Sequence, residues 1–429
     1  MALAALVVVL PALLSGCKPS AEVGGPEAPT RVRFWHTFNA DEARTVGALI
    51  EDFERENPGV EVEVTVLPFG AAHNRLRAAM RAGQGPDVAR AEVAWIPALA
   101  DEGLLMPLGA RGPRLEEHLE VVRPFARWRS EVFAFPQGVD ALVLYTNRRL
   151  FERAGVEVPQ TWDQLLEAAR RLTIDSGGRS AAEPGFERGA VVQHGITLKT
   201  DGYYFLPLLW AFGGGTVDPE AGEVFIDSAG SVAAAAFLVR LARGEGVAPE
   251  RLDFTDEYRA EIEGFGQGRV AMIINGPWAA LDLLKGPAFA DPLDLVASPV
   301  PLGEGGRGGS PVGGHGYVIN KASGAQEAAL ALASHLSSLR AQVMLAQANH
   351  LLPTRLAAYE QPEVRSDRLV VAFRAALDRS HPRAVFPGMA RLFDALTPAL
   401  QKLVRGEGAP EAVMPAVAAQ WRLILKPPR

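Results

Sequence analysis

Cysteine is almost absent from this 429-residue chain: Cys17 stands alone, so no intramolecular disulfide can form. No long basic run occurs, and 43 Lys and Arg against 50 Asp and Glu leave a formal net charge of -7. That balance argues against nucleic acid or an anionic membrane surface as a partner. Strings that announce common chemistries are missing too: there is no His-Glu-x-x-His for zinc, no Gly-x-Ser-x-Gly nucleophile elbow and no Gly-Lys-Ser/Thr phosphate loop. The one long apolar run, near the N-terminus, is too short to span a bilayer. Otherwise 48% hydrophobic and 22% charged residues are ordinary for a soluble globular protein, and the length suggests two domains.

What is present is organised around residues 264–279, where a glycine-rich turn feeds the apolar run 270–274 and Asn275-Gly276-Pro277-Trp278 stops it. The run suits a strand buried on both faces. Gly276 permits a sharp turn and Pro277 presets a first helical turn, which sets Trp278 at the C-terminal edge of a sheet. Open α/β folds place ligands at that edge. An indole there either fills the core between strand and helix or offers its face to the C–H face of a sugar ring.

The remaining pattern is α/β. Residues 32–35 read as a first strand, residues 41–57 carry Val46, Leu49, Ile50 and Phe53 on one helical stripe, and residues 60–66 alternate like a strand with one wet face. A helix over 72–82, a strand near 87–91 and a short helix closing at Gly103 continue the alternation. Thr161 and Gln164 have capping-box spacing, with Trp162 packed beneath the helix they open. Residues 195–198 read as another strand; Asp201 follows in the first turn of a helix, where a carboxylate is favourable. Residues 303–309 form a glycine-rich surface loop.

Residues 1–17 have the shape of a signal peptide, and Leu14-Ser15-Gly16-Cys17 resembles a bacterial lipobox, in which cleavage leaves a lipid-modified Cys17 at the N-terminus. Acyl chains contributing ~0.8 kcal/mol per buried CH2 would hold the mature protein at a membrane surface. Residues 18–30, rich in Pro, Gly, Ser, Ala and Glu, read as a flexible tether.

Several strings, in order along the chain, resemble maltose-type solute-binding proteins, the substrate-capturing components of ABC sugar importers. They are Gly85-Pro86-Asp87, Pro159-Gln160-Thr161-Trp162, Asn275-Gly276-Pro277-Trp278 and Gly313-Gly314-His315, and the resemblance covers about residues 31–425. It implies an α/β, two-lobed periplasmic-binding-protein-like fold of type II, each lobe a mostly parallel sheet flanked by helices, with a three-segment hinge. The lobes it implies are residues 31–139 with 303–351, and residues 140–302 with 352–429. It further implies a monomer without catalysis, cofactor or metal, outside the cytoplasm. Such a protein hands an oligosaccharide of the maltose, maltodextrin or trehalose type to membrane permease subunits.

Sugars present C–H faces that stack on aromatics and hydroxyl arrays that need paired donors and acceptors. By the resemblance, Trp278, Tyr203, Trp95 and Phe393 are expected to serve the first, and Asp140, Asp201, Glu92, Asn39 and Arg383 the second. Gly314 and His315 begin a strand whose counterpart faces ligand, His315 standing where tryptophan is frequent. These residues are scattered from 39 to 393, so only a fold that gathers loop ends into one cleft could unite them. The mechanism implied is hinge closure, for which periplasmic binding proteins are the standard illustration. The rival is a glycosidase using Asp140 and Asp201 as acid and base, which needs the two carboxyls roughly 5 to 9.5 Å apart. A third class, a lipoprotein scaffold for another protein, needs neither sugar nor catalysis.

Overall fold

The computed structural model describes residues 28–250 and 253–425, so the expected signal peptide, Cys17 and most of the tether lie outside the described residues. Two sheets carry the architecture. The first joins β1 (Thr30–His36), β2 (Val60–Val66), β3 (Val88–Glu92), β4 (Ala134–Asp140) and β8 (Gly313–Ile319), in spatial order β2-β1-β3-β8-β4. The second joins β5 (Val143–Asn147), β6 (Met272–Asn275) and β7 (Leu295–Pro299), with β5 in the middle.

In the first sheet β1 runs parallel to β2 and β3, while β8 lies antiparallel to both β3 and β4. In the second, β6 and β7 both pair antiparallel with β5. The expectation of a mostly parallel sheet in each half is therefore corrected for the second. Its central strand starts at Val143, opposite Asn275 and Pro299 at the ends of β6 and β7, so both neighbours run against it. Residues 195–198, expected as a strand, make only one isolated parallel bridge, Thr197 with Ile273, and His194 just before them makes another with Val270.

The short connection between β4 and β5 decides where a ligand could sit. Asp140 ends β4 and Val143 begins β5, and Val143 is also the partner of Asn275 at the end of β6 and Pro299 at the end of β7. The carboxyl ends of β1, β3, β4 and β6 thus come to the boundary between the sheets, the location favoured for ligands in α/β folds. The chain crosses this boundary after β4, again between β7 and β8, and a third time near Leu352, which bridges to Val139.

Local signals explain the helices. Asn39 caps α1 (Ala40–Glu56): its side chain accepts from the Asp41 and Glu42 N–H groups, and Glu42 returns a bond to the Asn39 N–H at 3.0 Å. The stripe Val46, Leu49, Ile50 and Phe53 is buried with Phe34 and Tyr317 against one face of the first sheet. α2 (Phe69–Arg81) buries Ala72, Leu76 and Met80 on the other face. The Thr161 and Gln164 capping box forms as expected at the head of α3 (Trp162–Leu172), and Trp162 is buried edge-on to Phe237. α4 (Gly202–Ala211), α5 (Ala280–Leu284) and α6 (Leu392–Arg405) follow in the second half, α6 lying close to α4.

Candidate functional site

The segment after β6 forms a rigid pedestal. The Tyr145 hydroxyl donates to the Gly276 carbonyl at 3.0 Å, and the Asn275 side chain accepts from the Gly276 N–H at 2.8 Å and donates to Glu261 at 2.7 Å. Tyr204 adds a bond to Asn275 at 3.2 Å. A Cβ on Gly276 would fall 2.2 Å from the Trp278 ring, so only glycine lets the indole lie across this backbone. Trp278 is half-buried, edge-on to Tyr204 at 6.5 Å, and its carbonyl accepts from the Asn39 side chain of the first sheet at 3.4 Å.

Beside it lies a second group. Asp201 caps α4 by accepting from the Tyr203 N–H at 2.9 Å, and its other oxygen is 3.5 Å from the Thr397 hydroxyl on α6. Tyr203 stands edge-on to Tyr204 and to Phe393, at ring separations of 5.9 and 6.5 Å. Its buried hydroxyl has no hydrogen-bond partner within the protein. That hydroxyl lies beside Asp140: a Cβ on Gly313 would meet both the Tyr203 oxygen, at 2.5 Å, and the Asp140 Cβ, at 3.3 Å. Arg383 passes over the Tyr203 ring at 5.2 Å, donates to the Val312 carbonyl at 2.9 Å and pairs with Glu92 from the end of β3. The largely buried Glu92–Arg383 pair joins residues 291 apart in sequence.

Asp140, His315 and Gly314 share the β4–β8 seam. Gly314 has φ +139 and approaches so near that a Cβ would lie 2.4 Å from the Gly138 carbonyl. The His315 Nδ1 is 3.7 Å from Asp140, too long for a hydrogen bond, and its Nε2 is buried without a protein partner. Burial pushes Asp140 up to about 7, against the partial relief of the Arg90 guanidinium. Burial, helped by Arg90 and Arg383, holds His315 well below the ordinary imidazole range, so its ring is neutral. The cluster thus offers a guanidinium, a neutral imidazole, a phenol and a carboxyl able to carry its proton at neutral pH. These are hydrogen-bond partners for neutral hydroxyls.

Trp95 is only 6% exposed, and His73 stacks on it at 5.4 Å with 9° between the planes. One face of its ring is therefore already covered, unlike that of Trp278. Asp201 is engaged as a helix cap through one of its oxygens.

Sequence reasoning missed Arg90 and Gln137. The β4–β8 register slips between His315 and Gly316, passing over Gln137, whose side chain accepts from the buried Arg90 at 2.9 Å. Arg90 also donates to Thr37 at 2.9 Å and covers the Phe38 ring at 4.0 Å. Three contacts join the two sides: Asn39 with Trp278, Glu92 with Arg383, and Asp41 of α1 with Lys285 just past α5. A cavity of about 10 Å³ remains beside Gly313 and His315, room for a single water. A larger cavity, about 660 Å³, opens elsewhere, between Leu150, Arg171 and Gln193, and none of the expected residues borders it.

Two sheets whose strand ends meet over a shared polar and aromatic cluster, linked by three crossings, define a two-lobed ligand-binding protein. The chain belongs to the bacterial extracellular solute-binding protein family, whose profile matches residues 39–343. That family places it outside the cytoplasm. Its fold is similar to the GacH receptor of Streptomyces glaucescens, solved unliganded and with acarbose, at TM-score 0.85 and 31% identity over 94% of this chain and 100% of that one. It is likewise similar to maltose-bound MalE3 of T. maritima, at TM-score 0.81 and 26% identity over 92% and 100%. A maltodextrin-binding protein of Bacillus subtilis is 24% identical over 348 residues, 80% of this chain and 78% of that one. The comparisons give no support to the glycosidase alternative.

Proposed function

We propose that this chain is the substrate-binding component of an ABC sugar importer, capturing an oligosaccharide of the maltose, maltodextrin or trehalose class and presenting it to membrane permease subunits. The observation that carries this reading is the convergence of Asn39 and Glu92 from one sheet with Trp278, Tyr203 and Arg383 from the other side. A ligand that touches both sides only when they meet binds the closed form better, and that difference drives closure. Trp278 and Phe393 supply ring faces; Asp140, Arg383, His315 and Tyr203 supply hydroxyl partners. Asp201 acts through Tyr203, which it holds at the start of α4. Residues 31–139 with 303–351 form one jaw, and residues 140–302 with 352–429 the other. The mature chain works as a monomer tethered through lipidated Cys17.

A panel of mono-, di- and oligosaccharides in a thermal-shift assay tests the reading. A sugar at 100 times its Kd adds about 2.7 kcal/mol, which raises the melting temperature. No shift with any of them, or release of reducing ends from the oligosaccharides, overturns it.

A further inference from the structure

We propose that Phe69 is an outer platform of the groove, receiving a sugar ring of a chain that runs past the closed contacts and so favouring tri- and longer oligosaccharides over disaccharides. The inference rests on the sugar-binding reading above and adds the residue that reads chain length.

Its position follows from the fold. β2 ends at Val66 beside His36 of β1, at the same edge of the first sheet as Glu92 and Asp140. Leu67 turns inward and Pro68 precedes the helix without a side-chain cap bond, leaving Phe69 as the first residue of α2. The buried stripe of that helix is Ala72, Leu76 and Met80, so Phe69 is not required by the core. It is 54% exposed.

A lone exposed phenylalanine would be unremarkable. This one is supported from behind and adjoins the site. Its ring is 5.5 Å from Trp95, which is itself stacked on His73, and meets the His315 ring edge-on at 6.2 Å. His73, Trp95 and Phe69 therefore make a ledge of rings ending at His315, the neighbour of Asp140. The ring stays exposed although Asn39–Trp278, Glu92–Arg383 and Asp41–Lys285 are all engaged. A platform that closure does not cover suits a sugar unit beyond the enclosed ones, because aromatic faces reward flat apolar partners without fixing their hydroxyls.

The test titrates maltose, maltotriose and maltotetraose into the parent and into Phe69→Ala, Phe69→Leu and Phe69→Trp by calorimetry, with melting curves as the folding control. The parent is expected to bind the longer sugars more tightly than maltose. The Ala and Leu variants should lose about 10-fold on the longer sugars, the size of an aromatic stacking contribution, and keep their maltose affinity, while Trp retains parental binding. Equal loss on all three sugars, parental affinity in the Leu variant, or a parent that favours maltose overturns the platform and leaves the sugar-binding reading intact. A parent that binds none of the three overturns the platform, and the sugar-binding reading falls with it only if the wider thermal-shift panel, trehalose included, also gives no shift.

Discussion

Trp278 and Trp95 illustrate how much a single side chain can be read before its neighbours are known. Both follow strands at the same kind of edge, yet Trp278 lies half-exposed over a glycine while Trp95 has His73 stacked on it. Nothing local in the sequence separates them, because the covering ring comes from a helix 22 residues upstream. Replacing Trp278 by Ala is expected to weaken oligosaccharide binding at least about 10-fold, or ~1.4 kcal/mol, with the melting temperature nearly unchanged. Calorimetry on the two proteins checks it; equal affinities would make the indole packing alone. Arg383 was expected at the site, but its partner was not legible: the Glu92 carboxylate comes from the other half of the chain.

Asp140 gives a second residue-scale prediction. Its pKa is raised from 3.8 to about 7, so between those values the folded chain holds a proton that the unfolded chain has released, and stability falls as pH rises through that window. His36 and His118, both held down to about 4 by burial, work in the opposite sense below 6.5. The variant Asp140→Asn removes only the first effect. The difference in melting temperature, variant minus parent, should therefore climb between about pH 4 and pH 7, by ~2 °C or more, and then level off. A flat difference across that range would mean that Asp140 ionises normally.

At the scale of elements, the signals that proved dependable were periodic or terminal. The stripe of α1, the Thr161 and Gln164 capping box and the Asn275-Gly276-Pro277 stop all rest on contacts within a few residues. Thr161→Ala should cost about 1 kcal/mol in a denaturant titration, the usual price of a lost cap, without altering sugar affinity. A loss of affinity instead would tie α3 to the site. What stayed illegible was non-local. β4 contains Pro136 and Gly138, residues that normally argue against an inner strand, and it is tolerated as the edge strand of the first sheet with a slip at Gln137. The antiparallel second sheet was equally hidden, since its direction depends on β5 entering from the boundary rather than from a helix.

For the whole molecule, three crossings and cross-groove contacts made by Asn39, Glu92 and Asp41 describe a clamp in its shut form. The Asp41–Lys285 pair is surface-exposed on its lysine side and worth at most about 1 kcal/mol, so it cannot hold the jaws alone. On the proposed function, sugar contacts supply the rest. The most direct measurement places spin labels at Val66→Cys and Val192→Cys, both 57% exposed in the parent, with Cys17→Ser, and records their separation with and without maltotriose. The clamp predicts a broad distribution reaching to long distances without sugar and a single narrow one with it. Identical distributions in a sample whose calorimetry shows saturation would contradict it.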